Sequence, residues 1–69
     1  MTQKQFQQLF PGDLVAFQQC GPKLNGRIVE VDQVWDSGEV VVPHPDAPDR
    51  LAVLPYRSLR LYRHGTRRF

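Results

Sequence analysis

The stretch Leu51-Ala52-Val53-Leu54-Pro55-Tyr56-Arg57-Ser58-Leu59-Arg60-Leu61-Tyr62-Arg63 decides the fold. Its first four residues are an apolar run of strand length. Pro55 donates no ladder hydrogen bond and fixes its own φ at about −65°, which ends the run and starts a single 3₁₀ turn over Tyr56-Arg57-Ser58. Leu59 then drops back toward a core. Arg60 to Arg63 form a last strand, with Leu61 flanked by Arg60 and Tyr62.

Working outward, short β-type runs recur at intervals of roughly ten residues, each bounded by turn residues. The first is Leu14-Val15-Ala16-Phe17, followed by a loop with Cys20-Gly21-Pro22 and Asn25-Gly26. The second runs from Arg27 to Val34. Its adjacent Ile28 and Val29 break strict alternation, which suggests a β-bulge or burial on both faces. Asp36-Ser37-Gly38 is a hairpin signal, because Gly takes the positive φ of tight turns. Glu39 to Val42 comes next, then Pro43-His44-Pro45-Asp46-Ala47-Pro48-Asp49, a loop whose three prolines predict a stiff, exposed segment. The expectation is an all-β, five-stranded barrel over 10–63, with a core of Val15, Phe17, Ile28, Val31, Val40, Val42, Val53, Leu59 and Leu61. Residues 1–9 form a partly ordered N-terminal segment. Phe6, Leu9 and Phe10 are spaced for either a short amphipathic turn of helix or frayed coil, stopped by Pro11-Gly12. Residues 64–69 read as a flexible basic tail.

A length of 69 residues allows one small domain and excludes a multidomain enzyme. No apolar stretch approaches the ~20 residues that cross a bilayer, so no membrane partner is expected. The N-terminal segment lacks a secretory signal's apolar centre, and one Cys forms no internal disulfide; a reducing cytoplasm is the expected location. A core this small makes self-association or a protein partner a reasonable source of further burial. Charge is uneven. Residues 1–49 hold all seven acids and three bases, while 50–69 hold six Arg and no acid, so the two parts carry −4 and +6.

Three blocks resemble the SH3-like small barrels: Pro11-Gly12-Asp13-Leu14-Val15, Gly26-Arg27-Ile28-Val29-Glu30-Val31-Asp32, and Leu54-Pro55-Tyr56-Arg57-Ser58-Leu59-Arg60. The first two are similar to a KOW-type strand and turn unit, which implies association with RNA in ribosomal or transcription complexes. The chain also distantly resembles the small plasmid-encoded type II dihydrofolate reductases, tetramers whose pore holds folate and nicotinamide nucleotide. Their V-Q-I-Y-P pore motif falls on Leu51-Ala52-Val53-Leu54-Pro55, so Ala52 and Leu54 stand where that family has Gln and Tyr. Phe17 stands approximately where it has a Lys.

The inventory for catalysis is thin. Cys20 has no neighbouring His to lower its pKa and reads as an incidental thiol. His44 and His64 lack metal-ligand spacing, Asp46 and Asp49 read as turn residues, and no phosphate-cradling glycine loop occurs. No catalytic residue, metal, cofactor or small-molecule ligand is therefore expected.

Two features point to macromolecules instead. Arg57, Arg60, Arg63, Arg67 and Arg68 interleave with Tyr56, Tyr62 and Phe69, a mixture that neutralises phosphates and stacks on bases, with Lys23 and Arg27 as further basic contacts. Trp35 follows Val34 at a hairpin tip, where it is either folded back as a lid or presented to a partner. With Phe6, Phe10 and Tyr56 it can form an exposed apolar patch. The expected function is a non-catalytic interaction or accessory module that binds itself or another macromolecule. KOW-like nucleic-acid binding and a reductase-like tetramer with an altered pore are the alternatives.

Overall fold

The computed structural model describes residues 1–65. In chain order the elements are α1 (Gln3–Gln7), β1 (Leu14–Phe17), β2 (Ile28–Glu30), β3 (Gln33–Val34), β4 (Glu39–His44), β5 (Ala47–Pro55), a 3₁₀ turn (Tyr56–Ser58) and β6 (Leu59–Arg63). They make two antiparallel three-stranded sheets, ordered β2-β1-β6 and β3-β4-β5. Strand alternation sends Val15, Phe17, Val29 and Leu59 inward from the first sheet, and Val40 and Val42 from the second. Leu9 and Val31 complete the buried cluster, against which Val34, Ala52, Leu54 and Leu61 pack. The expected β class and the 3₁₀ turn before the last strand are present. The two sheets share no strand, so their ladders do not close into one continuous barrel among the described residues.

Six strands replace the expected five because the run from Arg27 to Val34 changes partners partway. The Val31 N–H donates to Asp13 O, whereas the next N–H, of Asp32, donates to Val41 O. The chain thus crosses from the first sheet to the second between two consecutive amides. Bulges lie at Leu14/Val15 and Pro43/His44, not at Ile28-Val29. Val29 and Val31 share the inward face, which leaves Ile28 46% exposed and outside the core. Val53 is likewise 44% exposed, since Ala52 and Leu54 take the inward positions of β5.

The proline-rich segment, expected as a loop, is mostly strand. β4 continues through Pro43 to His44 and β5 begins at Ala47, leaving Pro45 and Asp46 as the turn. Tyr56 N–H donates to Gly38 O, so Val40 and Val42, in step with Gly38, direct their backbone groups at β5. Pro43 is out of step, and its missing N–H costs that ladder nothing. The turn is closed by Asp46 N–H donating to His44 Nδ1 at 3.1 Å.

At the N-terminus the helical alternative is the one adopted. Thr2 and Gln5 form a capping box, in which Gln5 N–H donates to Thr2 Oγ1 at 3.2 Å and Thr2 N–H donates to Gln5 Oε1 at 3.0 Å. Five residues of helix are marginal alone, so tertiary contacts must hold α1. Phe6 stacks on Tyr56 with centroids 4.9 Å apart, and Leu9 enters the core. The Met1 amino group donates to the carbonyls of Tyr56 and Leu59, and burial pushes its pKa below the ordinary value.

The strongest departure from expectation is at the end of the described chain. His64 and Gly65, read as the start of a flexible tail, are fastened to Asp13, whose side chain is wholly buried. Gly65 N–H donates to Asp13 Oδ1 at 2.9 Å, Phe10 N–H donates to Oδ2 at 3.0 Å, and His64 Nδ1 lies 3.2 Å from Oδ2. A Cβ on Gly65 would come within 2.2 Å of Gly12 O, so the crossing admits only glycine. The remaining expected tail residues, Arg67 and Arg68 included, lie outside the described residues.

Candidate interaction surface

Trp35 follows β3 directly. Its N–H donates to Glu39 O and its carbonyl accepts from Gly38 N–H, which closes the β3–β4 hairpin. Gly38 sits at φ +97°, a conformation costly for any residue with a Cβ. Trp35 is 41% exposed, and its indole Nε1–H donates to Gln33 Oε1 at 3.0 Å. Trp35 is therefore laid along its own hairpin and stays partly exposed. Gln33, Val41 and Val53 form a cross-strand row on the side away from the core cluster, where Val41 is nevertheless buried, beside the Pro43–Leu51 pair.

Where the hairpin meets α1, an open groove of about 710 Å³ is lined by Phe6, Phe10, Trp35 and Tyr56, together with Leu9, Pro11 and Val34. The four aromatic residues come from three separate stretches: the α1 segment, the hairpin and the 3₁₀ turn. Gln3, Gln7 and Ser37 add polar groups, and Asp36 is the one formally charged residue among the lining. Tyr56 is already engaged by Phe6, and by the Arg57 guanidinium carbon 5.7 Å from its ring centroid. Its position is consequently defined before any partner arrives.

The basic residues do not join this groove into one surface. Arg60 and Tyr62 share the outer side of β6, where Arg60 pairs with Ala16 and Ala16 with Ile28. Arg63 pairs with Leu14, which also pairs with Glu30. Arg60, Tyr62 and Arg63 are all exposed. Arg57 stays with Tyr56 but does not line the groove. Arg27 makes an ion pair with Asp46 at 3.0 Å; with both side chains well exposed it adds little stability. Lys23 lines a separate cavity of about 470 Å³ with Cys20, Pro22, His44 and Asp46.

The chemistry-bearing residues have plain structural surroundings. The Cys20 thiol lies 3.1 Å from Gln18 O, and His44 is committed to its turn. No three His, Cys, Asp or Glu residues are placed to hold a metal among the described residues. Ala52 and Leu54, aligned with the reductases' Gln and Tyr, pack against the core.

In the sequence Asp13 reads only as part of a strand entry. Pro11-Gly12-Asp13 was a visible turn signal, but its second partner, Gly65, is 52 residues distant. The gathering of Phe6, Phe10, Trp35 and Tyr56 agrees with the expected patch, whereas Tyr62 and the outer arginines belong to the other sheet. Compared with known proteins, the chain matches no family model, no curated protein and no solved structure.

Proposed function

We propose that this chain is a non-catalytic, SH3-like interaction module that holds an apolar peptide segment of a protein partner in the groove between α1 and the β3–β4 hairpin. The observation that carries this is the convergence of Phe6, Phe10, Trp35 and Tyr56 on one open groove. Aromatic side chains supply large contact area at small conformational cost, which is why they dominate interface energetics. Asp36 adds a preference: a partner segment with a Lys or Arg beside its apolar residues complements the one charge in the lining. The 3₁₀ turn between the last two strands and the strand order support the SH3-like assignment.

Trp35 is the chain's single tryptophan, so its emission reports on the groove directly. Peptides selected on the immobilised protein are expected to combine apolar residues with a cation and to shift Trp35 emission. Phe10→Ala should weaken them about tenfold, equivalent to about 1.4 kcal/mol. Asp36→Asn should reduce the salt dependence of binding. Peptides whose affinity ignores Phe10→Ala, or a library yielding no binder, would overturn the proposal.

A second reading, KOW-like nucleic-acid contact, is favoured by the common exposure of Arg60, Tyr62 and Arg63 on β6. Labelled single-stranded RNA should then bind with log affinity falling by about 0.7 per log unit of salt for each phosphate neutralised. The double variant Arg60→Ala/Arg63→Ala should flatten that slope. Binding that is insensitive to both salt and the double variant would sink the reading.

A further inference from the structure

The free edge of β5 is the one long sheet edge among the described residues that carries no charge over its central residues. β3 has two residues and β2 has three, while β6 bears Arg60 and Arg63. Natural edges are usually blunted by charge, proline or shortness, because unpaired N–H and C=O groups template another strand. β5 is blunted only at its flanks, by Pro48, Asp49 and Arg50 on one side and Pro55 on the other. Between them Leu51-Ala52-Val53-Leu54 is unguarded, with Leu51 57% and Val53 44% exposed.

The backbone of this segment faces outward at the same two residues. Val41 accepts from Asp32 N–H and so turns its backbone toward β3, whereas Val40 and Val42 face β5. Their partners Leu54 and Ala52 therefore use their N–H and C=O groups within the sheet. Val53 and Leu51, in the alternate positions, direct theirs to the open edge.

We infer that two copies of this chain pair antiparallel along β5, about a two-fold axis through Ala52. In that register Leu51 of each copy lies opposite Val53 of the other. Two pairs each exchange two N–H···O=C bonds, and each exposed apolar side chain meets another across the junction. Arg50 falls opposite Leu54 and Asp49 opposite Pro55, so no like charges are directly opposed. This self-complementarity selects a second copy over an unrelated strand. The pairing uses up β5 in both copies and leaves only short or arginine-bearing edges, so it closes as a dimer and does not propagate. One strand pair is a small contact, well below the ~1,600 Å² of a standard interface, and the dimer is therefore weak and concentration-dependent. The inference does not rest on the groove.

Light scattering should give a mass rising from the 8.0 kDa of one chain toward twice that value as concentration increases from about 10 μM to about 1 mM. Amide exchange at Leu51 and Val53 should slow over the same range. Leu51→Lys, an exposed position whose side chain points out of the core, should keep the far-ultraviolet circular dichroism and weaken dimerisation at least tenfold. Val53→Lys provides the same test from the facing residue, while Phe10→Ser in the groove should leave the dimer unchanged. A constant monomer mass, an assembly indifferent to both lysine variants, or concentration-independent exchange at Leu51 and Val53 would each overturn the inference.

Discussion

Asp13→Ala is expected to lower stability by about 3 kcal/mol, the cost of leaving part-buried donors without the acceptor they share. The side chain is wholly buried, and its two oxygens accept from Phe10 and Gly65 N–H groups while facing His64 Nδ1. A domain of this length typically has about 3–10 kcal/mol of total stability, so the loss removes a large share of it and should move the urea midpoint well down. Asp13→Asn retains one acceptor oxygen and should lose about half as much. Gly65→Ala breaks the same junction from the other side, by driving a Cβ against Gly12 O. Because both changes disrupt one contact, their combination should cost clearly less than the two losses added. Urea titrations followed by circular dichroism supply these values. A loss below about 1 kcal/mol for Asp13→Ala would mean that the carboxylate does not hold the two chain ends.

The second large effect is expected at Leu59, the largest of the fully buried side chains. It opens β6, pairs with Phe17 and enters the core immediately after the 3₁₀ turn. Leu59→Ala removes buried methyl groups and leaves a cavity that the flanking strands cannot easily fill, at a cost of about 3 kcal/mol. Val53→Ala makes the comparison, since the sequence predicts both residues in the core. With Val53 on the outer side of β5, its truncation should change stability by less than about 0.5 kcal/mol in dilute solution. Equal losses at the two positions would contradict the assigned facing of β5.

These two sites show what kind of information was legible. The 3₁₀ turn is encoded locally by Pro55, and the inward place of Leu59 follows from the turn's short length. Val53 was misassigned because Leu51-Ala52-Val53-Leu54 is apolar at every position, and a continuous run carries no alternation from which to read its facing. Ile28-Val29 presents the same ambiguity. The proline-rich segment failed for another reason. Proline interrupts a ladder only where an N–H is required, and the register of β4 against β5 removed that requirement at Pro43.

The functional surface divides in the same way. Trp35 was conspicuous because a large aromatic beside Asp36-Ser37-Gly38 fits poorly into a small core. Its company of Phe6, Phe10 and Tyr56 depended on α1 docking through the Phe6–Tyr56 stack. The arginines, adjacent in sequence, separated: Arg57 lies by Tyr56 while Arg60 occupies the outer side of β6. Arg57 belongs to the 3₁₀ turn and Arg60 to the strand that follows it, so the change of element parts the two charges.

By itself, then, the sequence determined the β class, the hairpin at Asp36-Ser37-Gly38, the turn after Pro55 and the uneven charge, all properties set by neighbouring residues. Only the tertiary structure decided which face of β5 is buried, which sheet each half of Arg27 to Val34 joins, and that Asp13 meets Gly65. Each of these depends on the pairing of segments distant along the chain, where the free energy comes from burying both partners together and neither segment expresses it alone.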